Sequence, residues 1–360
     1  MLLKGLRGIG IGVGVLAALV VTLLLLLTLT RGRTPAIPGA NSVATAEMLT
    51  LGGVEQFVVT RGADRDKPVL LMLHGGPGLP LTLLRGLMSP GLEENFVVVM
   101  YDQRNAGRSQ QGDIADMTVE QHAADAVELT DILRERFGEE KIYLLGHSWG
   151  AQLGLFVAQA APKKYHALVN TGQALITDVG EICEDFIRSS VMGTELEEEY
   201  LAGLREQKEL LNDLWQEGNC INEAVAPLGG EIHGETQEAL GVLLPTMLRA
   251  PEYRPLDIVN IMRFNNEHRW ALNDQALELG TDITELDLPV FFFLGRYDYV
   301  TPSIAAEQFF DELSAPYKEI VWFEESAHFT FFEEPEKFAR ELVRVKNEVQ
   351  ADKPLAFIER

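Results

Sequence analysis

The sequence predicts an α/β fold: a mainly parallel sheet with helices on both faces, a helical cap inserted between two later strands, and an N-terminal transmembrane helix. Three observations carry this. Short apolar runs (Pro68–Leu73, Phe96–Tyr101, Lys141–Leu145, Ala167–Asn170, Pro289–Leu294, Glu319–Phe323) alternate with helical stretches, and strands apolar throughout belong to parallel sheets covered on both sides. The stretch Ile176–Leu286 breaks the alternation with a helix-rich, acid-rich composition. Ile9 to Leu29 is an uncharged run of 21 residues, about the length that spans a bilayer as a helix.

In chain order, residues 1–33 read as a membrane anchor, with 9–29 spanning. The run exceeds the apolar core of a cleaved signal, about 7–15 residues, and no small-residue cleavage pattern follows closely. Cleavage and secretion is the alternative. Lys4 and Arg7 precede the run and Arg31 and Arg33 follow it. Together with the terminal amine they favour a cytoplasmic amino terminus and an extracytoplasmic body. Residues 34–45, with two prolines and a glycine, read as a linker. The α/β core is expected over 46–173 and 285–346, the cap over 174–284 and a C-terminal tail over 347–360.

Within the core, Glu47–Leu51 and Gln56–Thr60 read as a hairpin across Gly52-Gly53. Thr118 is the expected N-cap of a helix to Phe137, with Ala123, Val127 and Leu133 on its apolar side. Gly150–Ala160 is a small-residue helix following the third strand. In such sheets ligands bind beyond the carboxyl ends of the strands, so the residues just after each run are the ones to inspect.

Gly146-His147-Ser148-Trp149-Gly150 stands between a strand and a helix. This is G-x-S-x-G in the strand–turn–helix context that exposes a serine hydroxyl on a strained turn. A serine nucleophile needs a base, and the base an orienting acid. Asp298 follows the run Pro289–Leu294 and His328 follows Glu319–Phe323, giving the chain order Ser, Asp, His. Of the seven histidines, His328 alone has that place after the last strand; His147 reads as packing. In His74-Gly75-Gly76-Pro77-Gly78, the backbone N–H groups of Gly75 and Gly76 are expected to join that of Trp149 in an oxyanion hole. The chemistry implied is two-step acyl transfer, which needs no metal or cofactor. The triad alone does not separate amides from esters.

These motifs, with Asp102-Gln103-Arg104-Asn105-Ala106-Gly107-Arg108-Ser109 and the late segments Gly-Arg-Tyr-Asp and Ala-His-Phe-Thr-Phe-Phe-Glu-Glu-Pro, resemble the prolyl aminopeptidase (proline iminopeptidase) group of α/β-hydrolases. The resemblance covers residues 50–175 and 285–345. It implies the α/β-hydrolase fold, Ser148 as nucleophile with Asp298 and His328 as partners, and a helical cap. It also implies small peptide substrates with a free amino terminus, the ammonium held by carboxylates of the cap. Asn105 departs from the family's usual Asp-Gln-Arg-Gly-x-Gly-Arg-Ser pattern, and Asp102 and Arg104 read as pins for loops beside the site.

Residues 174–284 hold 22 acids against 7 Lys and Arg. Glu181, Glu184 and Asp185, near the cap's start, are the candidate ammonium ligands. An esterase or lactonase acting on a small molecule is the alternative function, and a non-catalytic binding module the third. A net charge of −24 and pI of 4.7 argue against nucleic-acid partners. Two cysteines exclude a disulfide-dense scaffold. Cys183 and Cys220 both fall in the cap and are expected as unpaired buried thiols, with a disulfide as the alternative for an external body.

Overall fold

A computed structural model of the chain describes Thr22, residues 31–109, 116–173, 180–193, Glu198, residues 225–262, Leu272, Gln275 and residues 282–351. Apart from Thr22, the apolar run expected to span a membrane lies outside the described residues, as do Cys220 and the end of the C-terminal tail. Among the described residues no helix is long and apolar enough to cross a membrane.

The chain opens with strands β1 (Val43–Leu51), β2 (Val54–Gly62) and β3 (Val69–Leu73). Helix α1 (Gly91–Asn95), strand β4 (Val97–Tyr101) and helix α2 (Val119–Phe137) follow. Then come β5 (Ile142–His147), α3 (Trp149–Ala160) and β6 (Tyr165–Thr171). The cap contributes α4 (Gly180–Val191), α5 (Ala239–Met247) and α6 (Pro255–Met262). The core resumes with β7 (Val290–Gly295), α7 (Ser303–Glu312) and β8 (Lys318–Phe323), and ends with α8 (Thr330–Glu333) and α9 (Pro335–Gln350).

The eight strands form one sheet in the order β1-β2-β4-β3-β5-β6-β7-β8. The first two pairings are antiparallel and the rest parallel. Successive strand side chains point to opposite faces, so a continuous apolar run needs cover on both. Val69, Leu71 and Leu73 of β3 pack on one side with α2 and α3; Leu70 and Met72 pack on the other with α1, α5 and α9. Thr118 caps α2 by accepting the Gln121 N–H, as expected, and Gly138 ends it in the left-handed conformation.

Two boundaries differ from the sequence reading. The hairpin is longer on both arms, with Val43 paired to Gly62, so β1 begins inside the segment expected as linker. Residues 31–35 also dock: the Gly32 N–H donates to Pro251 O at 2.8 Å and Thr34 Oγ1 to Glu252 Oε1 at 2.9 Å. At the other end, α9 runs to Gln350, past the expected tail boundary, because Phe338, Leu342 and Val345 keep a helical apolar stripe against the sheet.

The loop after β4 is pinned from within. Arg104 makes a two-pronged ion pair with Asp125 of α2, Nε to Oδ2 at 2.7 Å and Nη2 to Oδ1 at 2.9 Å, both side chains buried. Asp125 also accepts from Gln56 and Gln121. Removing one member of a buried pair strands the other charge, at about 3–5 kcal/mol. Asp125→Ala is expected to lose stability on that scale in urea denaturation; a loss under 1 kcal/mol would show that the pin does not hold the loop.

Candidate active site

Ser148 sits between β5 and α3 with φ 56° and ψ −124°, a backbone conformation that costs a non-glycine residue free energy. Close packing on either side enforces it. A Cβ on Gly146 would lie 2.3 Å from Gly150 O, and one on Gly150 would lie 2.2 Å from Leu73 O. No side chain fits at either position, so strand and helix cross at backbone contact with Ser148 on the turn. The Ser148 N–H donates to Thr171 O at 2.9 Å, which locks the turn to β6.

Asp298 and His328 come together at the carboxyl ends of β7 and β8. His328 Nδ1 lies 2.9 Å from Asp298 Oδ2. The same carboxylate accepts the Thr301 N–H at 2.9 Å and the Thr301 hydroxyl at 3.0 Å. With Nδ1–H given to Asp298, the neutral imidazole presents Nε2 as its acceptor. Burial alone would lower the His328 pKa, but the Asp298 carboxylate, joined by Glu231 and Glu333, outweighs it and holds the ring above its ordinary 6.5.

The expected oxyanion segments also lie at this end of the sheet. A Cβ on Gly75 would come 2.8 Å from Ser148 Cβ, so the Gly75 backbone passes directly over the serine. Trp149 opens α3, where the first N–H groups of a helix have no partner within it. One polar chain ties these segments together. His74 Nδ1 donates to Gly75 O at 2.9 Å, and its Nε2 accepts the Gln103 N–H at 3.0 Å. The Gln103 side chain donates to His74 O at 3.1 Å and accepts from Trp149 Nε1 at 2.9 Å.

Several supporting residues were not singled out from sequence. His147 is more than packing: its Nε2 donates to His328 O at 3.1 Å, and burial keeps the ring neutral, its pKa far below 6.5. Glu333 accepts the N–H groups of Ala327 at 2.9 Å and Phe329 at 2.8 Å, on either side of His328, and that of His233 in the cap at 2.7 Å. The Glu-Glu pair just after the histidine motif was the only sequence signal for it. Two cap carbonyls hold the loops directly: Gly230 O accepts the Tyr299 N–H at 2.9 Å, and Glu231 O accepts the His328 N–H at 3.1 Å.

The acids expected to meet a substrate ammonium are placed differently. On α4, Ile182, Cys183, Phe186, Ile187 and Val191 turn inward, with Phe186 stacked on Tyr299. Glu181 and Asp185 therefore face solvent, and Glu184 pairs with Arg188 at 2.9 Å. The described cap acid that is buried beside the pair is Glu231, whose Oε2 accepts the Ala239 N–H at 2.7 Å. Cys183 is buried and disulfide-bonded, which replaces the expectation of two unpaired thiols.

Asn105, where glycine is usual, has φ 60°; asparagine is among the few side chains that visit this region routinely. Asp102 nearby accepts the Tyr253 hydroxyl at 2.6 Å and the Arg108 N–H at 2.7 Å. Burial nevertheless raises its pKa to about 7. A carboxyl whose pKa is raised on folding contributes stability that is full below its unfolded pKa and is lost as pH rises through the folded value. Acidification from pH 8 to pH 5.5 is therefore expected to stabilise the parent relative to Asp102→Asn in urea denaturation. Parallel pH profiles for the two would refute the shift.

The family model for the alpha/beta hydrolase fold matches residues 68–335. The probable aminopeptidase YbaC of Bacillus subtilis (strain 168) is 31% identical over 327 residues, covering 86% of this chain and 98% of that protein. The proline iminopeptidase of Heyndrickxia coagulans is 25% identical over 283 residues, covering 75% and 87%. Among solved structures, proline iminopeptidase from Mycobacterium smegmatis superposes with a TM-score of 0.60 at 20% identity, covering 85% of this chain and 98% of that one.

Proposed function

Because this chain belongs to the alpha/beta hydrolase family, in its prolyl aminopeptidase-like group, we propose that it is a serine aminopeptidase releasing N-terminal residues from small peptides through an acyl-enzyme. The observation that carries this reading is the Asp298–His328 hydrogen bond at the sheet end that also bears the strained Ser148 turn. In this mechanism His328 Nε2 takes the Ser148 proton as Oγ attacks the scissile carbonyl, forming a tetrahedral oxyanion held by backbone N–H groups of the Gly75-Gly76 segment and Trp149. The leaving amine takes the proton from His328. Water, deprotonated by the same ring, then releases the acyl group and regenerates the serine.

Glu231, in place of the α4 acids, is the carboxylate proposed to hold the substrate ammonium. It is buried, comes from the cap, and its charge is felt at His328. Its Oε2 already accepts the Ala239 N–H, and an ionic hydrogen bond from a substrate ammonium is stronger than one from a neutral donor.

Residues 9–29 are proposed as a single-pass anchor, with the body on the extracytoplasmic side. The bonded state of Cys183 supports this placement, since disulfides persist in oxidising compartments. Full-length protein released from membranes by carbonate would refute the anchor.

Hydrolysis of a proline arylamide, beside the same amide with a blocked amino terminus, tests the activity. Cleavage of the free-amine substrate alone is expected, and Asp298→Asn should lower kcat by about 10⁴-fold. Activity on short acyl esters alone would replace the peptidase reading with an esterase. Because His328 must be neutral to act as base, kcat/KM should rise with pH through a midpoint above 6.5. Glu231→Gln should move that midpoint down and raise KM for the arylamide; an unchanged midpoint and KM would remove Glu231 from the site.

A further inference from the structure

Helix α5 is apolar on both sides. Ala239, Leu243 and Met247 are buried against the core, whereas Leu240, Leu244 and Leu248 form a row four residues apart on the outer face, 43%, 36% and 49% exposed. Leu256, at the start of α6, is 68% exposed. A row of leucines at helical spacing is a continuous apolar strip, unlike scattered surface apolar residues.

Its surroundings carry the opposite charge to the molecule. No acid occurs from Ala239 to Pro251, in a chain of net charge −24. Arg33, Arg249 and Arg254 are exposed around the strip, and Arg31 is partly so. The acids at its margins are Glu238, at the far end of α5, and Asp257, which accepts the Arg254 N–H and lies 3.6 Å from Arg108. Glu252 is fully buried against Arg85.

The continuous described stretch that starts at Arg31 begins at this strip. The Arg31 guanidinium donates to Leu248 O, the Gly32 N–H to Pro251 O, and Arg108 to Gly32 O. The apolar run ends at Leu29, two residues before Arg31. Two residues reach at most about 7 Å, so a bilayer entered by that run has its boundary beside Leu248.

We propose that the outer face of α5, with Leu256 and the arginines around it, rests on an anionic phospholipid surface as a second membrane contact. This rests on the anchor reading above. The leucines enter the headgroup–acyl boundary and the arginines meet lipid phosphates, the division of labour of an interfacial amphipathic helix. The anchor supplies attachment and the α5 face sets orientation, holding the cap edge against the bilayer.

Nitroxide labels placed by Leu244→Cys, and by Ile304→Cys as an exposed apolar control (52%) on α7, test this in the full chain. The chain is reconstituted without reductant into vesicles of three parts phosphatidylcholine to one part phosphatidylglycerol, and the parent chain serves as labelling blank. A label in lipid is relaxed by oxygen and shielded from a water-soluble nickel complex. Position 244 is expected to show several-fold more oxygen than nickel accessibility, and position 304 the reverse. Equal nickel accessibility at both would leave the strip in water and overturn the docking while the anchor stands. Shielding of position 244 from both reagents would mean cover by protein, a second copy or the chain's own apolar run, and would overturn it likewise. Failure of the chain to float with the vesicles would remove the anchor and the docking together.

Discussion

The site depends on one steric constraint: helix α3 starts at backbone contact with β5 and β3, with no room for a Cβ at Gly146 or Gly150. That contact fixes the turn, and the turn forces Ser148 into its strained conformation. Everything else near the site is arranged around this point. The Gly75 backbone passes over it, β6 receives its N–H, and α3 starts directly after it. A substitution at either glycine would act on all of these at once, because they share a single origin.

Around that point, buried carboxylates serve as organisers of backbone. Glu333 collects three main-chain N–H groups, Asp298 two groups from Thr301 besides the imidazole, and Asp102 a tyrosine hydroxyl and an amide. Each holds a loop that has no regular secondary structure to hold it. Their oxygens are hydrogen-bonded within the protein, which is how so acidic a chain keeps carboxylates inside. Their cost appears as the raised pKa values of Asp102 and Glu333, where burial works against the hydrogen bonds.

Much of this was legible in the sequence, for definite reasons. Strands such as Val97–Tyr101 and Val290–Gly295 are apolar throughout because both faces are covered, so their runs stand out against the polar connections. Thr118 was legible because capping is local chemistry. The placement of Ser148, Asp298 and His328 just beyond β5, β7 and β8 was legible because each follows such a run. Placement of side chains on the cap was harder. The period of Ile182, Cys183, Phe186 and Ile187 already turned Glu181, Glu184 and Asp185 outward, a signal outweighed by their acidic character. Glu231 gave no such sign. It lies in a Gly-Gly-Glu loop without period, and only the long-range pairing of residues 230 and 231 with two distant loops brings it inward. Nor is the docking of residues 31–35 written in their composition, since prolines and glycines suit a fitted strap as well as a free stalk.

That pairing gives the cap a mechanical role. Through the carbonyls of Gly230 and Glu231, one short cap segment bridges the loop of Asp298 and the loop of His328, and through Glu333 the next residues join the same frame. Cap and base thus form a single cooperative unit. Lifting this edge would release two main-chain bonds, one at Tyr299 beside Asp298 and one at His328 itself. Residues 230–233 are therefore held to the two loops that carry the imidazole and its carboxylate, and this edge of the cap is tied to the pair it covers.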